Sequence, residues 1–283
     1  MINSKTHGGL GNRLKNIVSC MKLSDEYNLQ INIQWEKKPF VCNCNFNDLY
    51  ENDFSINNLS NIKINYPFNP FACWRLYVSN KDNIPNNFTK IKKNFIGDKL
   101  SGNINYTRFI DLEYNRITDS LKNQYINYFN SLKLKKEIKE KIDSFTNKNF
   151  NDKTISVHFR GVRIGDCKNW QKKETHKKFI EQWKEKYINE MKKYSSDYNF
   201  YFTCINKEII DFFKNIFKNR IITYEKSFFL KEENEDNIGY YQDDLVELYL
   251  LSKNNIIIGS HSSTYTEVAW YLGGCTKNII IIK

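Results

Sequence analysis

From residue 154 onward, short apolar runs alternate with longer segments whose apolar positions recur every three to four residues. The runs near 154–159, 198–204, 219–224, 255–259 and 278–282 predict strands. Periodic segments near 176–193, 206–217, 241–252 and 264–272 predict helices between them. On the first of these, Phe179, Trp183, Tyr187 and Met191 share one face, with Ile180 and Ile188 beside them. Strands alternating with amphipathic helices predict a parallel sheet wrapped by helices.

The N-terminal half opens in the same way. A short strand near residues 2–6 leads through a glycine loop into a helix ending near Tyr27, with Leu14, Ile17, Val18 and Met21 at helical spacing. Leu29, Ile31, Ile33 and Trp35 alternate, which predicts a second strand. Residues 36–116 are Asn-rich and aromatic with weak periodicity, and no organisation is read there. Helices are expected near 118–130 and 133–145, and a linker over 147–152. The expectation from this pattern is an α/β protein of two halves, residues 1–148 and 149–283, with a cleft between them.

Composition bounds this picture. A chain of 283 residues suffices for one large or two small domains, and 40% hydrophobic residues can supply their cores. A formal charge of +11 suits an anionic ligand, and also nucleic acid or an acidic membrane face. The basic residues are spread along amphipathic helices and form no single block, and no nucleic-acid-binding signature is present, so no nucleic-acid partner is expected. The 7 cysteines are odd in number, and Cys42-x-Cys44 has no second ligand pair, so no structural metal is expected. With no basic-then-apolar leader and no apolar stretch of about 18 residues, a cytoplasmic location is expected.

Three motifs carry candidate chemistry. His158-Phe159-Arg160-Gly161 closes a strand, where the carboxyl edge of an open α/β sheet binds ligands. His158 and Arg160 alternate, so both point to one side; the Arg fork suits a phosphate, though a core His and an ion-paired Arg would read alike. Gly8-Gly9-Leu10-Gly11 joins a strand to a helix, which lets a ligand approach the backbone or simply makes a tight turn. Asn12 and Arg13 stand at that helix start. Gly259-Ser260-His261-Ser262-Ser263-Thr264 precedes the last helix and offers hydroxyls and free amides to a phosphate. Thr264-x-x-Glu267 also reads as a capping box. Asp243 and Asp244 open the 241–252 helix, either for its dipole or to accept from a base or ribose.

In this order the segments resemble the GT-B fucosyltransferase superfamily of α1,2-, α1,6-, protein O- and nodulation-type enzymes. The motifs that carry the resemblance are His7-Gly8-Gly9-Leu10-Gly11-Asn12-Arg13-Leu14, Val157-His158-Phe159-Arg160-Gly161, and Asp244 to Ser252 continuing to Ser263-Thr264. The resemblance implies a GT-B-like fold of two Rossmann-like domains facing a central cleft, residues 1–148 on the acceptor side and 149–283 binding the nucleotide-sugar. It also implies a GDP-linked donor, usually GDP-fucose, inversion at the anomeric carbon, and no required metal or cofactor. It implies Arg160 on the β-phosphate and His158 beside the nucleotide. Ser262, Ser263 and Thr264 would hold diphosphate oxygens, Asp244 would lie near the nucleoside, and Gly9, Gly11, Asn12 and Arg13 would border the cleft.

Two departures stand out. Cys204-Ile205-Asn206 occupies the place where many relatives carry aspartates. No glutamate matches the α1,6-type base, which leaves Asp166, Glu174 and His7 as candidates. The expected acceptor is a glycan or glycolipid, with peripheral membrane contact through basic helices. A glycosyltransferase using another nucleotide-sugar, a silent sugar-nucleotide-binding module and a nucleic-acid-binding protein are the alternatives.

Overall fold

The computed structural model describes residues 2–6, 8–28, 30–37, 42–52, 56–60, 76–78, 89–94, 101–107, 118–161, 170–226, 238–261 and 263–283. Strand β1 (Ile2–Thr6), helix α1 (Leu10–Tyr27), β2 (Ile31–Lys37) and β3 (Ile56–Ser60) build a three-stranded parallel sheet in the order β1-β2-β3. Strands β4 (Leu76–Val78), β5 (Thr89–Asn94) and β6 (Ser101–Thr107) form a separate antiparallel sheet inside the stretch where the sequence has weak periodicity. Helices α2 (Asp119–Asn130) and α3 (Lys136–Asn149) follow, and α3 runs on through the first part of the expected linker.

The second half alternates as the apolar runs predict. Its elements are β7 (Thr154–His158), α4 (Trp170–Met191), β8 (Asn199–Thr203), α5 (Lys207–Phe217), β9 (Ile221–Ile222), α6 (Ile238–Leu251), β10 (Ile256–Ser260), α7 (Thr264–Leu272) and β11 (Asn278–Ile282). The five strands are all parallel, in the order β11-β10-β7-β8-β9. Every residue of β7 is buried, the polar Thr154, Ser156 and His158 as well as Ile155 and Val157, whereas β8 and β10 carry the apolar runs Phe200-Tyr201-Phe202 and Ile256-Ile257-Ile258 expected of strands covered on both faces. The chain moves outward from β7 through β8 to β9, then returns to place β10 on the other side of β7. That reversal is a topological switch point, and it lies between the strands that end in His158 and Ser260.

The sheet's two faces are covered differently. On one face, Tyr187 and Met191 of α4 and Phe213 and Phe217 of α5 pack on Ile155, Val157, Phe200 and Phe202. On the other, Leu245, Leu248 and Leu251 of α6 and Val268, Trp270 and Tyr271 of α7 join Leu14, Ile17, Val18, Trp35, Tyr125 and Phe129 in one core. That core crosses residue 148 without interruption. Two expectations about charged residues change here. Helix α6 begins at Ile238, so Asp243 and Asp244 lie well inside it and do not serve its N-terminal dipole. The cap of α7 is Ser263, which accepts from the Thr266 amide at 3.4 Å, so Glu267 is not the partner of a capping box.

Glu267 instead pairs with Lys15 of α1, both side chains being almost wholly buried. Gly11 lies beside the same helix: a Cβ there would come 2.9 Å from Thr264 O and 3.0 Å from its carbonyl carbon. A backbone contact that close excludes any side chain. No helix among the described residues is long and apolar enough to cross a membrane.

Removing one member of a buried ion pair strands the other charge in a low-dielectric interior. Glu267→Gln is therefore expected to lower stability by about 3–5 kcal/mol, whereas Lys15→Met with Glu267→Met is expected to be near neutral. Urea denaturation of the three proteins checks this, and equal losses in single and double variants would count against it.

Candidate active site

A cavity of about 420 Å³ opens at the switch point. Its walls come from both halves: Gly8 to Asn12 on one side, and His158 to Gly161, Thr203 to Ile205 and Ser263 to Tyr265 on the other. Lys226, Asp244 and Glu247 complete the lining. The size falls within the range of about 300–1,000 Å³ typical of small-molecule sites.

The glycine loop is shaped by backbone requirements. Gly8 has φ +78°, a left-handed conformation that side chains rarely adopt, and a Cβ there would sit 2.6 Å from Asn12 Nδ2. Gly9 caps α1 with no side-chain hydrogen bond, and no acidic residue occupies the first turn. The positive end of α1 therefore faces the cavity beside the N-terminus of α7. Arg13 lies behind this loop and not in the cavity. It is fully buried, stacks on Trp35 at 4.8 Å, and donates to Gly8 O at 2.8 Å and Glu36 O at 2.7 Å. Its guanidinium ties the loop to β2 and does not face a ligand.

On the opposite wall, His158 is buried and its Nδ1 lies 2.7 Å from Thr266 Oγ1 and 3.5 Å from Ser263 Oγ. Burial, reinforced by the charges of Arg160 and Lys226, lowers its pKa to about 3. The imidazole is neutral at physiological pH and sits between two cations without adding a third. Phe159 turns to the far face, against Tyr187 and Phe213, and Arg160 returns to the cavity side and is exposed. Gly161 follows with the loop after β8 packed directly on it: a Cβ there would fall 1.9 Å from Asn206 Oδ1 and 2.8 Å from Ile205 Cγ2. Gly259 is likewise filled from outside: a Cβ would meet Thr266 Cγ2 at 2.2 Å, so its absence lets Thr266 reach His158.

Part of the cavity lining is a charged cluster of which sequence reasoning named only Asp244 and missed Lys226 and Glu247. The Lys226 side chain is only 3% exposed; it pairs with Glu247 and lies 3.3 Å from Asp244 Oδ1. Burial pushes its ammonium down, but Glu247 and Asp244 together outweigh this and hold it well above the ordinary lysine value. Asp243 is turned away, toward Lys141 at 3.2 Å and Tyr224 at 3.1 Å. One signal in the sequence points to the cluster: Glu247 interrupts the apolar run Leu245-Val246-x-Leu248, and a carboxylate on a buried face calls for a cation. Cys204 also lines the cavity, and burial pushes its thiol up to about 12, so it is no thiolate nucleophile.

Of the expected donor-site residues, Gly9, Gly11, Asn12, His158, Arg160, Asp244, Ser263 and Thr264 meet at the cavity. Ser262, His7 and Asp166 lie outside the described residues, as does the side chain of Glu174, whose backbone is in α4. Among the described residues, no group of three or more His, Cys, Asp or Glu is arranged to hold a metal ion.

The NodZ α1,6-fucosyltransferase crystallised with GDP matches over 94% of this chain and 90% of that one, at 15% identity and a TM-score of 0.55. The Bradyrhizobium NodZ fucosyltransferase matches over the same shares at 17% identity and a TM-score of 0.54. NodZ soaked with GDP-fucose matches over 95% and 91%, at 14% identity and a TM-score of 0.52. The fold is that of the GT-B fucosyltransferases. No family model and no curated protein matches the sequence, so this likeness is one of fold. The cavity occupies the carboxyl edge of the five-stranded parallel sheet, where the switch point directs a ligand.

The neutral His158 gives a pH prediction. Its folded pKa of about 3 lies below the ordinary 6.5, so between those values the unfolded chain binds a proton that the folded one refuses. Its contribution to stability is present above pH 6.5 and is lost as pH falls, at no more than about 1.4 kcal/mol per unit. Urea denaturation at pH 7 to 4 should show a shallower fall for His158→Gln than for the wild type. Parallel profiles would show that His158 is not held neutral.

Proposed function

We propose that this chain is an inverting, metal-independent fucosyltransferase that moves L-fucose from GDP-fucose to a glycan hydroxyl. The observation that carries the reading is the convergence of Arg160, the N-termini of α1 and α7, and the hydroxyls of Ser263 and Thr264 on one cavity at the switch point. Each favours an anion, and together they suit a diphosphate. The acidic groups suit the other end of the donor. Asp244 and Glu247 offer only acceptors, and the guanine edge offers adjacent N–H donors. A uracil edge offers one N–H flanked by carbonyls, which carboxylates repel. NodZ, which shares the fold, was crystallised with GDP and soaked with GDP-fucose.

In the proposed reaction the acceptor oxygen attacks the anomeric carbon from the face opposite GDP. The C1–O bond to the β-phosphate breaks, and the departing diphosphate keeps the electron pair. Arg160 and the two helix N-termini offset the charge that develops there. Preorganised groups of this kind act without reorienting during the step. The hydroxyl proton passes to a base, for which Asp166, Glu174 and His7 are the candidates. Residues 1–148 would carry the acceptor and 149–283 the donor. The acceptor is a glycan or glycolipid, and basic helices would bring the protein to an acidic membrane face in the cytoplasm.

Calorimetric titration with GDP, UDP and dTDP should show preference for GDP, weakened in Arg160→Ala. Turnover of GDP-fucose by that variant should fall by about 10²–10³ with the fold intact. Preference for UDP or dTDP would keep the enzyme class and change the donor. A folded Arg160→Ala protein with wild-type turnover would sink the assignment. Of Asp166→Asn, Glu174→Gln and His7→Ala, the one that removes the base should lower turnover by about 10²–10⁴, and the other two should not.

A further inference from the structure

We infer that Tyr187 of α4 and Ser260 of β10 are positioning residues that fix the Arg160 backbone for the leaving diphosphate, an inference that rests on the donor reading above. Arg160 stands just past the end of β7, where the strand's own ladder has run out. The Phe159 N–H still donates to Thr203 O of β8 at 3.0 Å. The next amide, that of Arg160, donates to Ser260 Oγ at 2.8 Å, on the opposite neighbour β10. Two successive amides are thus tied to strands on both sides of β7, and this sets the direction in which the Arg160 side chain leaves the sheet.

Ser260 is itself held. Its Oγ lies 2.8 Å from the Tyr187 hydroxyl, which lies 2.7 Å from His158 O. One proton arrangement serves all three contacts at their short distances. Tyr187 donates to His158 O, Ser260 donates to the Tyr187 oxygen, and Ser260 Oγ is left to accept from Arg160. The competing Ser260 contact to His158 O is longer, at 3.3 Å. Tyr187 is fully buried and Ser260 is 1% exposed, so water does not compete for these groups. Burial also pushes the Tyr187 phenol up, which keeps it a donor.

The hydroxyl is not needed for packing. The Tyr187 ring sits against Phe159 at 4.9 Å and Phe213 at 6.4 Å, in a cluster where phenylalanine would fill the same space. A buried hydroxyl costs free energy unless it is hydrogen-bonded, and here every bond it makes leads to the backbone around Arg160. Neither Tyr187 nor Ser260 lines the cavity, so any effect on a ligand passes through the turn they hold.

The test is calorimetric titration of GDP and GMP into the wild type, Tyr187→Phe, Ser260→Ala, Arg160→Ala and the Tyr187→Phe/Arg160→Ala double variant. GMP lacks the β-phosphate that Arg160 is assigned. Tyr187→Phe and Ser260→Ala should each weaken GDP by about three- to tenfold, the worth of one buried hydrogen bond, and leave GMP unchanged. In the Arg160→Ala background, Tyr187→Phe should add nothing. Equal weakening of GDP and GMP, a full Tyr187→Phe effect without Arg160, or wild-type GDP affinity in both single variants would overturn the positioning role alone. A folded wild type that binds no GDP would overturn the donor reading and this inference together.

Discussion

The contact between α1 and α7 is the constraint on which the rest of the site depends. Gly11 brings the first turn of α1 against the Thr264 backbone, and the buried Lys15–Glu267 pair fixes the two helices in register. Residues some 250 positions apart in sequence are joined by this contact. Without it the sheet edge at His158 and Ser260 would have only one wall. With it, the N-termini of α1 and α7 line the same space, and their partial positive charges add. Arg13 serves the same end from behind, by anchoring Gly8 O and stacking on Trp35.

The charges in the cavity are separated by environment. Arg160 is exposed at one end, and Lys226 is buried among carboxylates elsewhere in the lining. A charged histidine between them would meet repulsion from both, and burial removes that possibility by keeping His158 neutral. Its contact with Thr266 makes it a polar spacer tied to α7. The result is a polar gradient: a cationic region suited to phosphate and a region where acceptors predominate. Such a gradient would hold the proposed nucleotide donor in one sense.

Much of this was legible in the sequence where burial leaves a regular trace. The runs Phe200-Tyr201-Phe202 and Ile256-Ile257-Ile258 of β8 and β10 are largely buried and read as strands, and the helix expected over 264–272 is α7 at those bounds. The glycines and the His-x-Arg turn were legible because their backbone demands permit few other residues. Other features left no local trace. Lys226 follows a two-residue strand in Thr223-Tyr224-Glu225, without periodicity, and its partners lie some 20 residues on in α6. Arg13 has the same local look whether it faces a ligand or a carbonyl; only Trp35 and Glu36, on another strand, decide between them. Glu267 fitted a local capping pattern, and a partner on a remote helix overrode it.

The departure at Cys204-Ile205-Asn206 has a physical reading in the same terms. Asn206 Oδ1 occupies the space that a side chain at Gly161 would need, and Ile205 Cγ2 would lie 2.8 Å from it. The loop after β8 therefore packs directly on the turn that carries Arg160. Its amide at Asn206 donates to Cys204 Sγ at 3.4 Å, which closes the loop on itself. Burial keeps the thiol protonated, so the segment adds no negative charge beside the phosphate end. The neutral loop leaves the acidic groups of the cavity to Asp244 and Glu247, where Lys226 balances them. The carboxylates that line the cavity thus come from helix α6, and the loop after β8 adds none.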